Sequence, residues 1–366
     1  MTVIQGMIWA LAAVTTLATV LPLTRIPLGV IRGLAFPRLQ LFGLSVAGGV
    51  AALVAGPGAA MQIAALLFLL SAVAHLSYIV KFTPLWPQQS RPATDALKTD
   101  LSRQFSVLSS NVKMSNREYD RLVTLVHARR PDIVLALETD EPWIAALGAA
   151  LEQDYPEIIR QPQDNGYGLC VMSKLPLSDT AVDFLVVQAV PSVRTTVTLP
   201  CGDELRLFVL HPEPPAIGHS SLGRDSEIAL AGIQAKESAL PAVIAGDLND
   251  VAWSTTTRRF QRLSGLLDPR VGRGLYNTFH AFYPLLRWPL DHVFHDARFR
   301  LVSLERLEHI GSDHFPLYFE LALTETSRGD DQIESSDAAE KSDTRQMIRE
   351  ERARPRSPIG EDWEDG

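Results

Sequence analysis

Six places in this chain set an acid, an amide or an imidazole directly at the edge of an apolar run, and the densest is Gly246-Asp247-Leu248-Asn249-Asp250. It follows Pro241-Ala242-Val243-Ile244-Ala245, a short apolar run that reads as a buried strand delivering polar side chains at its C-terminal end. Placing a carboxylate and an amide beside a core strand is costly unless a metal, a ligand or another partner meets them. Alone, the stretch reads equally well as an Asp/Asn turn. Its company decides the matter. Asn111, Glu138, His211, Asp291 with His292, and Asp313 with His314 also sit where apolar runs meet loops. In a layered sheet protein such strand ends can converge on one rim. The set is rich in carboxylate oxygens and has no cysteine cluster, so a hard cation such as Mg²⁺ or Mn²⁺ suits it better than zinc. A cation held by carboxylates, with imidazoles and amides beside it, matches a phosphoryl substrate. The metal neutralises oxygen charge, a carboxylate orients or deprotonates water, and cationic and amide donors stabilise the transition state.

The elements that carry these residues follow from periodicity. Gln104 to Val112 alternates as a half-buried strand, Glu118 to Arg130 has helical spacing closed by Pro131, and Ile133 to Leu137 is a buried strand ending at Glu138. Glu141 to Leu151 reads as helix and Gly166 to Ser173 as strand. Val193 to Leu199 and Glu204 to Leu210 form a strand pair across Pro200-Cys201-Gly202-Asp203, with His211 at its end. Arg224 to Ser238 is helical by period; Leu290 to Phe294, Phe299 to Leu304 and Phe315 to Leu323 read as strands. Several strand pairs are joined too briefly for helical crossovers, which predicts mixed sheets in an α/β or α+β sandwich.

In chain order, Ser110-Asn111-Val112, Leu137-Glu138-Thr139, Gly168 through Ser173-Lys174, His211-Pro212, Gly246-Asp247-Leu248-Asn249, Leu290-Asp291-His292-Val293-Phe294 and Gly311-Ser312-Asp313-His314 together resemble the endonuclease/exonuclease/phosphatase superfamily, here in a membrane-anchored bacterial form. The resemblance covers nearly all of Gln104 to Leu323. It implies an α+β, four-layer sandwich of two mixed sheets flanked by helices, with the site at one edge of the sheets. It makes Glu138 the principal metal ligand with Asn111 beside it, and Mg²⁺ or Mn²⁺ the cofactor. It makes Asp247 the residue that orients or deprotonates water and Asn249 a donor to the phosphate. His211 and His314 become the pair at the scissile phosphate. Asp313 would hold His314 in its working tautomer, and Asp291 would meet the metal or a catalytic histidine. Asp250 matches no role and reads as a loop carboxylate. Gly218-His219-Ser220-Ser221-Leu222 lacks the second glycine of a nucleophile elbow, which argues against a serine hydrolase.

Around this domain the composition is uneven. Of 366 residues 46% are hydrophobic, yet residues 1–80 are almost free of charge and those beyond 325 are dominated by it. Thr2 to Leu23, Leu39 to Ala55 and Ala59 to Val80 read as three membrane spans, since a bilayer takes about 20 apolar helical residues. Retention of the first span is favoured over a cleaved signal because no basic segment precedes it and further apolar segments follow. Residues 1–82 are thus expected to form a membrane domain, 83–100 a Pro-rich linker giving reach from the bilayer, 101–325 the catalytic domain and 326–366 a disordered acidic tail. Arg25, Arg32, Arg38 and Lys81 flank the spans on one side, which by the positive-inside rule puts the catalytic domain in the cytoplasm, at the inner membrane of a bacterial cell. Pairing of Cys170 with Cys201 would argue for the other side, although two separate thiols are the simpler reading. Net charge is −8, with no Lys/Arg stripe to favour nucleic acid.

The sequence therefore points to a membrane-anchored, divalent-metal-dependent phosphoesterase acting on a phosphate ester, which the membrane spans make plausible as a lipid-linked one. A nuclease is the alternative among enzymes. A catalytically silent membrane adaptor that keeps the fold for binding is the alternative outside them. The aromatic stretch Phe279, Phe282, Tyr283 and Trp288 stands before Asp291 and suits a base, an acyl or isoprenoid chain, or packing under the membrane domain.

Overall fold

A computed structural model describes residues 2–24, 26–324 and 333–360. The chain opens with an apolar bundle: α1 (Val3–Val20), the short α2 (Gly29–Gly33), α3 (Arg38–Val54) and α4 (Ala59–Ile79). α3 and α4 turn back on each other at Gly56-Pro57-Gly58. They approach closely because Gly48 leaves room for the Phe68 ring, which a Cβ there would overlap. Thr19 Oγ1 on α1 meets His75 Nε2 on α4 at 3.0 Å, so the polar residue of the last apolar segment is partnered inside the bundle. Two helical segments, Val3–Leu23 and Ala59–Phe82, are long and apolar enough to cross a membrane. The third expected span, around α3, has only 17 residues. Arg25 lies outside the described residues.

The segment expected to be a free linker is instead packed. It carries α5 (Asp95–Thr99), and its backbone pairs with Leu301: Ala93 N donates to Leu301 O and Leu301 N donates to Arg91 O. Ser90 Oγ reaches the buried His295 at 2.7 Å. The two-sheet domain that follows also rests on the bundle end, where Trp253 Nε1 donates to Ala35 O at 2.7 Å and Phe82 packs edge-on against the Trp253 ring.

The domain itself contains β1 (Gln104–Asn111), α6 (Tyr119–Arg129), β2 (Ile133–Leu137), α7 (Glu141–Leu151), β3 (Glu157–Gln161), β4 (Leu169–Ser173), β5 (Leu177–Asp183), β6 (Ser192–Thr198), β7 (Glu204–Leu210), α8 (Leu222–Glu237), β8 (Ala242–Asp247), α9 (Thr255–Ser264), β9 (Asp291–His295), β10 (Phe299–Arg306) and β11 (Leu317–Leu323). A six-stranded sheet runs β10-β11-β1-β2-β4-β3 and a five-stranded sheet β5-β6-β7-β8-β9. Each has one parallel pair, β1 with β2 and β7 with β8, crossed over by α6 and α8; the other pairings are antiparallel. The sheets pack face to face on Val107, Leu135, Leu207, Val243 and their neighbours. α6 and α7 cover the outer face of one sheet, α8 and α9 that of the other. Two mixed sheets between helices make this the expected α+β sandwich.

Local signals explain the turns that matter. α6 ends at Arg130 in the left-handed region (φ 49°), before Pro131. α7 starts on Asp140, whose carboxylate caps Trp143 N at 2.9 Å, with Pro142 in its first turn. Elements without a clear apolar signature are the ones the sequence did not announce. β3 and β5 are half-exposed edge strands, and the apolar residues that α9 buries are just Phe260 and Leu263, beside Thr256, Thr257 and Ser264.

The tail departs from its expected disorder. α10 (Ala338–Arg352) begins on Asp337, which accepts from Glu340 N at 2.7 Å, and lays Ile348 on Ala229 and Leu263 of the domain. An ion pair from Arg262 Nε to Glu340 at 2.8 Å fixes its start. A few apolar contacts plus local ion pairs thus order a segment whose composition alone argues otherwise. Residues 325–332 and 361–366 lie outside the described residues. Cys170 is buried, Cys201 exposed, and both are free thiols.

Candidate active site

The parallel pairs place the site. β1 and β2 end level with each other (Asn111 opposite Leu137), as do β7 and β8 (Leu210 opposite Gly246), so four strands empty at one rim. Glu138 turns off β2 with φ 62° and Asn249 turns off β8 with φ 50°, strained values for side-chain-bearing residues and typical of functional turns. Gly246 allows β8 to lie against β7: its φ is 138°, and a Cβ there would overlap the Leu210 carbonyl.

Asn111 Nδ2 donates to Glu138 Oε1 at 2.6 Å and to Asp247 Oδ2 at 3.1 Å, bridging the sheets. His211 Nε2 stands 3.7 Å from Glu138 Oε1 and 4.0 Å from Asp247 Oδ2. His314 Nε2 lies 3.5 Å from Asp247 Oδ2, while its Nδ1 is bonded to Asp291 Oδ2 at 2.8 Å. Asn249 N donates to Asp247 Oδ1 at 2.8 Å, and Asn249 Nδ2 to Pro212 O at 2.9 Å, leaving one amide N–H. All these side chains except those of Asp247, Asp291 and Asn111 line a cavity of about 440 Å³, joined there by Lys113, Tyr167, Asp313 and the aromatic wall of Phe36, Phe279 and Trp288.

Two expected roles change. Asp313 does not hold His314: its carboxylate pairs with Lys113 Nζ at 3.3 Å, and Asp291 takes the orienting role. Neighbours along the chain diverge in space here, whereas residues 23 apart meet. Asn111 turns its amide NH₂ toward the carboxylates of Glu138 and Asp247, and its Oδ1 accepts from Lys113 N at 3.0 Å. His292 faces away from the cavity, held between Arg270 (2.6 Å) and Asp250 O (2.8 Å). Asp250, read as a loop carboxylate, is buried, accepts from Ser254 and Thr257 at the start of α9, and lies 3.6 Å from Arg224.

Supporting residues escaped the sequence reading. Ser312 Oγ donates to Asn111 O at 2.8 Å and accepts from His314 N at 3.0 Å, tying the loop that carries His314 to the end of β1; it sits inside a quoted motif but carries no charge to mark it. Thr278 Oγ1 accepts from Asp291 N at 3.1 Å, and Arg224 Nη1 donates to Asn249 O at 2.9 Å. From the tail, Ile359 lines the cavity, its carbonyl accepting from Tyr167. Arg356 grips Glu213 through paired bonds of 2.6 Å.

Electrostatics follow burial. Burial lifts the Glu138 carboxyl to about 8 against the hydrogen bond from Asn111, with Asp313 adding to the rise. Burial holds His211 down at about 4, despite Asp247. For His314 burial acts downward but is outweighed by Asp291, Asp247 and Asp313, which raise it to about 10, so it is an imidazolium at neutral pH.

The donor set suits a divalent cation. Asp247, Asp291 and His314 bring polar atoms within 4.8 Å of one another; with His314 protonated, the carboxylate oxygens are the ones open to a cation, and Asp291 Oδ1 is a buried oxygen with no hydrogen-bond partner among the described residues. Oxygen-rich, cysteine-free surroundings favour a hard ion.

The fold is a two-sheet sandwich between helices, with its polar strand ends gathered at one rim. It resembles, in fold, humanized D. rerio TDP2 carrying 14 mutations (17% identity, TM-score 0.50, covering 60% of this chain and 99% of that one). It resembles likewise an endonuclease/exonuclease/phosphatase from Beutenbergia cavernae (18%, 0.50, 61% and 72%) and the human Nocturnin catalytic domain with bound sulfate (16%, 0.50, 62% and 97%). The Endonuclease/Exonuclease/phosphatase family matches residues 108–314, and the chain belongs to that family, whose members are phosphoesterases and nucleases. No curated protein sequence matches the chain.

Proposed function

We propose that this protein is a membrane-anchored, divalent-metal-dependent phosphoesterase that cleaves a phosphate ester by direct attack of water. The observation that carries the reading is the convergence of Glu138, His211 and His314 from two sheets at the wall of one cavity, with Asp247 buried behind them within about 4 Å of both imidazoles. Mg²⁺ or Mn²⁺ held by Glu138 on one side and Asp247 on the other would supply charge neutralisation for the phosphoryl oxygens. Asp247 accepts the proton of the attacking water or orients it, its second oxygen steadied by Asn249 N. His314, kept cationic and aimed by Asp291, donates to a phosphoryl oxygen or to the leaving oxygen. His211, kept neutral, and the free N–H of Asn249 complete the phosphate contacts.

Anchoring rests on α1 and α4, with α3 lying antiparallel beside α4 as a third, shorter span of about 26 Å at 1.5 Å per residue. Arg32, Arg38 and Lys81 lie at the bundle end that carries the catalytic domain, which favours a cytoplasmic domain at the inner membrane. A reporter fused to the C-terminus that is active only outside the cytoplasm would reverse this orientation. Hydrolysis of a panel holding a phospholipid, a polyprenyl pyrophosphate, single-stranded DNA and an aryl phosphodiester, with Mg²⁺ or EDTA, tests the activity. Metal-dependent turnover is expected; none on any substrate would sink the reading.

A further inference from the structure

Segment 279–288, just ahead of β9, forms a hairpin whose two ends belong to different environments. Its base is closed by paired backbone bonds between Phe279 and Trp288, and both rings line the catalytic cavity; the Phe279 ring lies 4.9 Å from that of His314. Its tip carries exposed apolar side chains, Phe282 at 54% and Leu285 at 83%. Leu285 O accepts from Gln40 Nε2 at 2.6 Å, which pins the tip beside the first turn of α3. That is the bundle end facing the catalytic domain, where a bilayer surface would fall if the apolar helices cross it.

Two further loops expose apolar side chains at the same end. Leu85 (88% exposed) follows the end of α4 by a few residues, with Lys81 over the neighbouring Trp86 ring. Ile217 (85% exposed) stands beside Ala216, which packs on Gly29 of α2. Large exposed aliphatic and aromatic groups gathered around the emergence of apolar helices, with a cation and a tryptophan among them, are what an interfacial membrane contact requires.

We propose that these loops seat the catalytic domain on the bilayer surface, and that the 279–288 hairpin dips its tip into the interface so that a lipid-borne phosphate ester enters the cavity along its aromatic base. This deepens, and for its substrate rests on, the phosphoesterase reading above. The hairpin joins both halves: its tip reads the lipid and its base flanks His314. Phe36, which connects α2 to α3, forms the facing wall of the cavity and packs edge-on against Trp288 at 5.9 Å, so the bundle contributes to the entrance.

The test uses the full chain in lipid nanodiscs, in a Cys201→Ser background, because Cys201 is the exposed thiol. A fluorescent label on Leu285→Cys is compared with one on the exposed Gln153→Cys, which follows the end of α7 away from the rim. Quenching by a lipid carrying a bilayer-resident spin label should be at least about threefold stronger at position 285, as for an apolar group seated in the interface. Equal quenching at both positions overturns the contact regardless of activity. In the paired measurement, Phe282→Ser/Leu285→Ser should lower kcat/KM for a phosphodiester on phospholipid vesicles at least about tenfold, given the apolar area withdrawn. Hydrolysis of a soluble aryl phosphodiester should be unchanged. Equal effects on both substrates overturn the entry route. Absence of any turnover in the wild type, with the label quenched, overturns the phosphoesterase reading while the bilayer contact stands.

Discussion

The six-stranded sheet brings Asn111 and Glu138 to the cleft on the ends of β1 and β2, whereas the five-stranded sheet brings His211, Asp247, Asn249 and Asp291 on the ends or starts of β7, β8 and β9. Asn111 crosses the division by donating to Asp247, and His314, just before β11, crosses it through its bond to Asp291. Neither sheet holds a complete set. Glu138, whose carboxyl burial lifts to about 8, belongs to one sheet; the acid beside both imidazoles, Asp247, belongs to the other. The site therefore depends on how the sheets face each other. A one-residue slip of any strand would turn its polar end to the wrong face.

Variants can break this dependence at graded depths. Asp247→Asn removes the carboxylate proposed to orient water with little change of shape, and kcat/KM should fall about 10³-fold or more, measured on the substrate found active, with an unchanged thermal midpoint. Gly246→Ala should instead disrupt the β7–β8 approach, destabilising the fold by about 3 kcal/mol through overlap with Leu210 O at a strained φ, read from thermal unfolding. Asp291→Asn should cost about 10- to 100-fold in kcat as His314 loses its anchor. Its pH profile sharpens the point. His314 stays protonated up to about 10 in the wild type because three carboxylates surround it, so losing one moves the alkaline limb to lower pH and widens the deficit as pH rises. An Asp291→Asn profile parallel to wild type at all pH values would remove His314 from the acid role.

The smallest effect lies behind the site. Glu227 on α8 is buried, neither carboxyl oxygen has a hydrogen-bond partner among the described residues, and burial with nearby Glu213 holds its carboxyl well above the ordinary range. A raised carboxyl pKa means the folded state keeps a proton that the unfolded chain releases, so stability falls as pH climbs above about 4.5. Glu227→Gln should stabilise by roughly 1 kcal/mol at neutral pH and by nothing near pH 4, measured by thermal shift across pH.

Much of this architecture is legible in the sequence because a core strand has a plain signature, an apolar run closed by a polar residue. β2 and β7 fall where that pattern places them, and β8 carries Asp247 at its end. What stayed hidden depends on contacts distant in sequence. Nothing adjacent to Asp313 reveals that Lys113 claims it and leaves His314 to Asp291. Nothing in the charged tail reveals Ile348 docking on α8 and α9, or Arg356 reaching Glu213, since mean composition averages over the few residues that make those contacts. The aromatic stretch before β9 was visible as such, but its division into a cavity wall and an exposed tip needed the fold.

The central claim is that one divalent-metal site is assembled from both sheets, with Glu138 essential to it. Mg²⁺ titration of phosphodiester hydrolysis by the wild type and by Glu138→Ala tests it most directly. Turnover should vanish in EDTA, return with Mg²⁺ or Mn²⁺, and be lost at ordinary metal concentrations in Glu138→Ala, with the half-saturating Mg²⁺ raised at least about tenfold. Hydrolysis that persists in EDTA, or a Glu138→Ala enzyme with wild-type rate and metal dependence, would contradict the account.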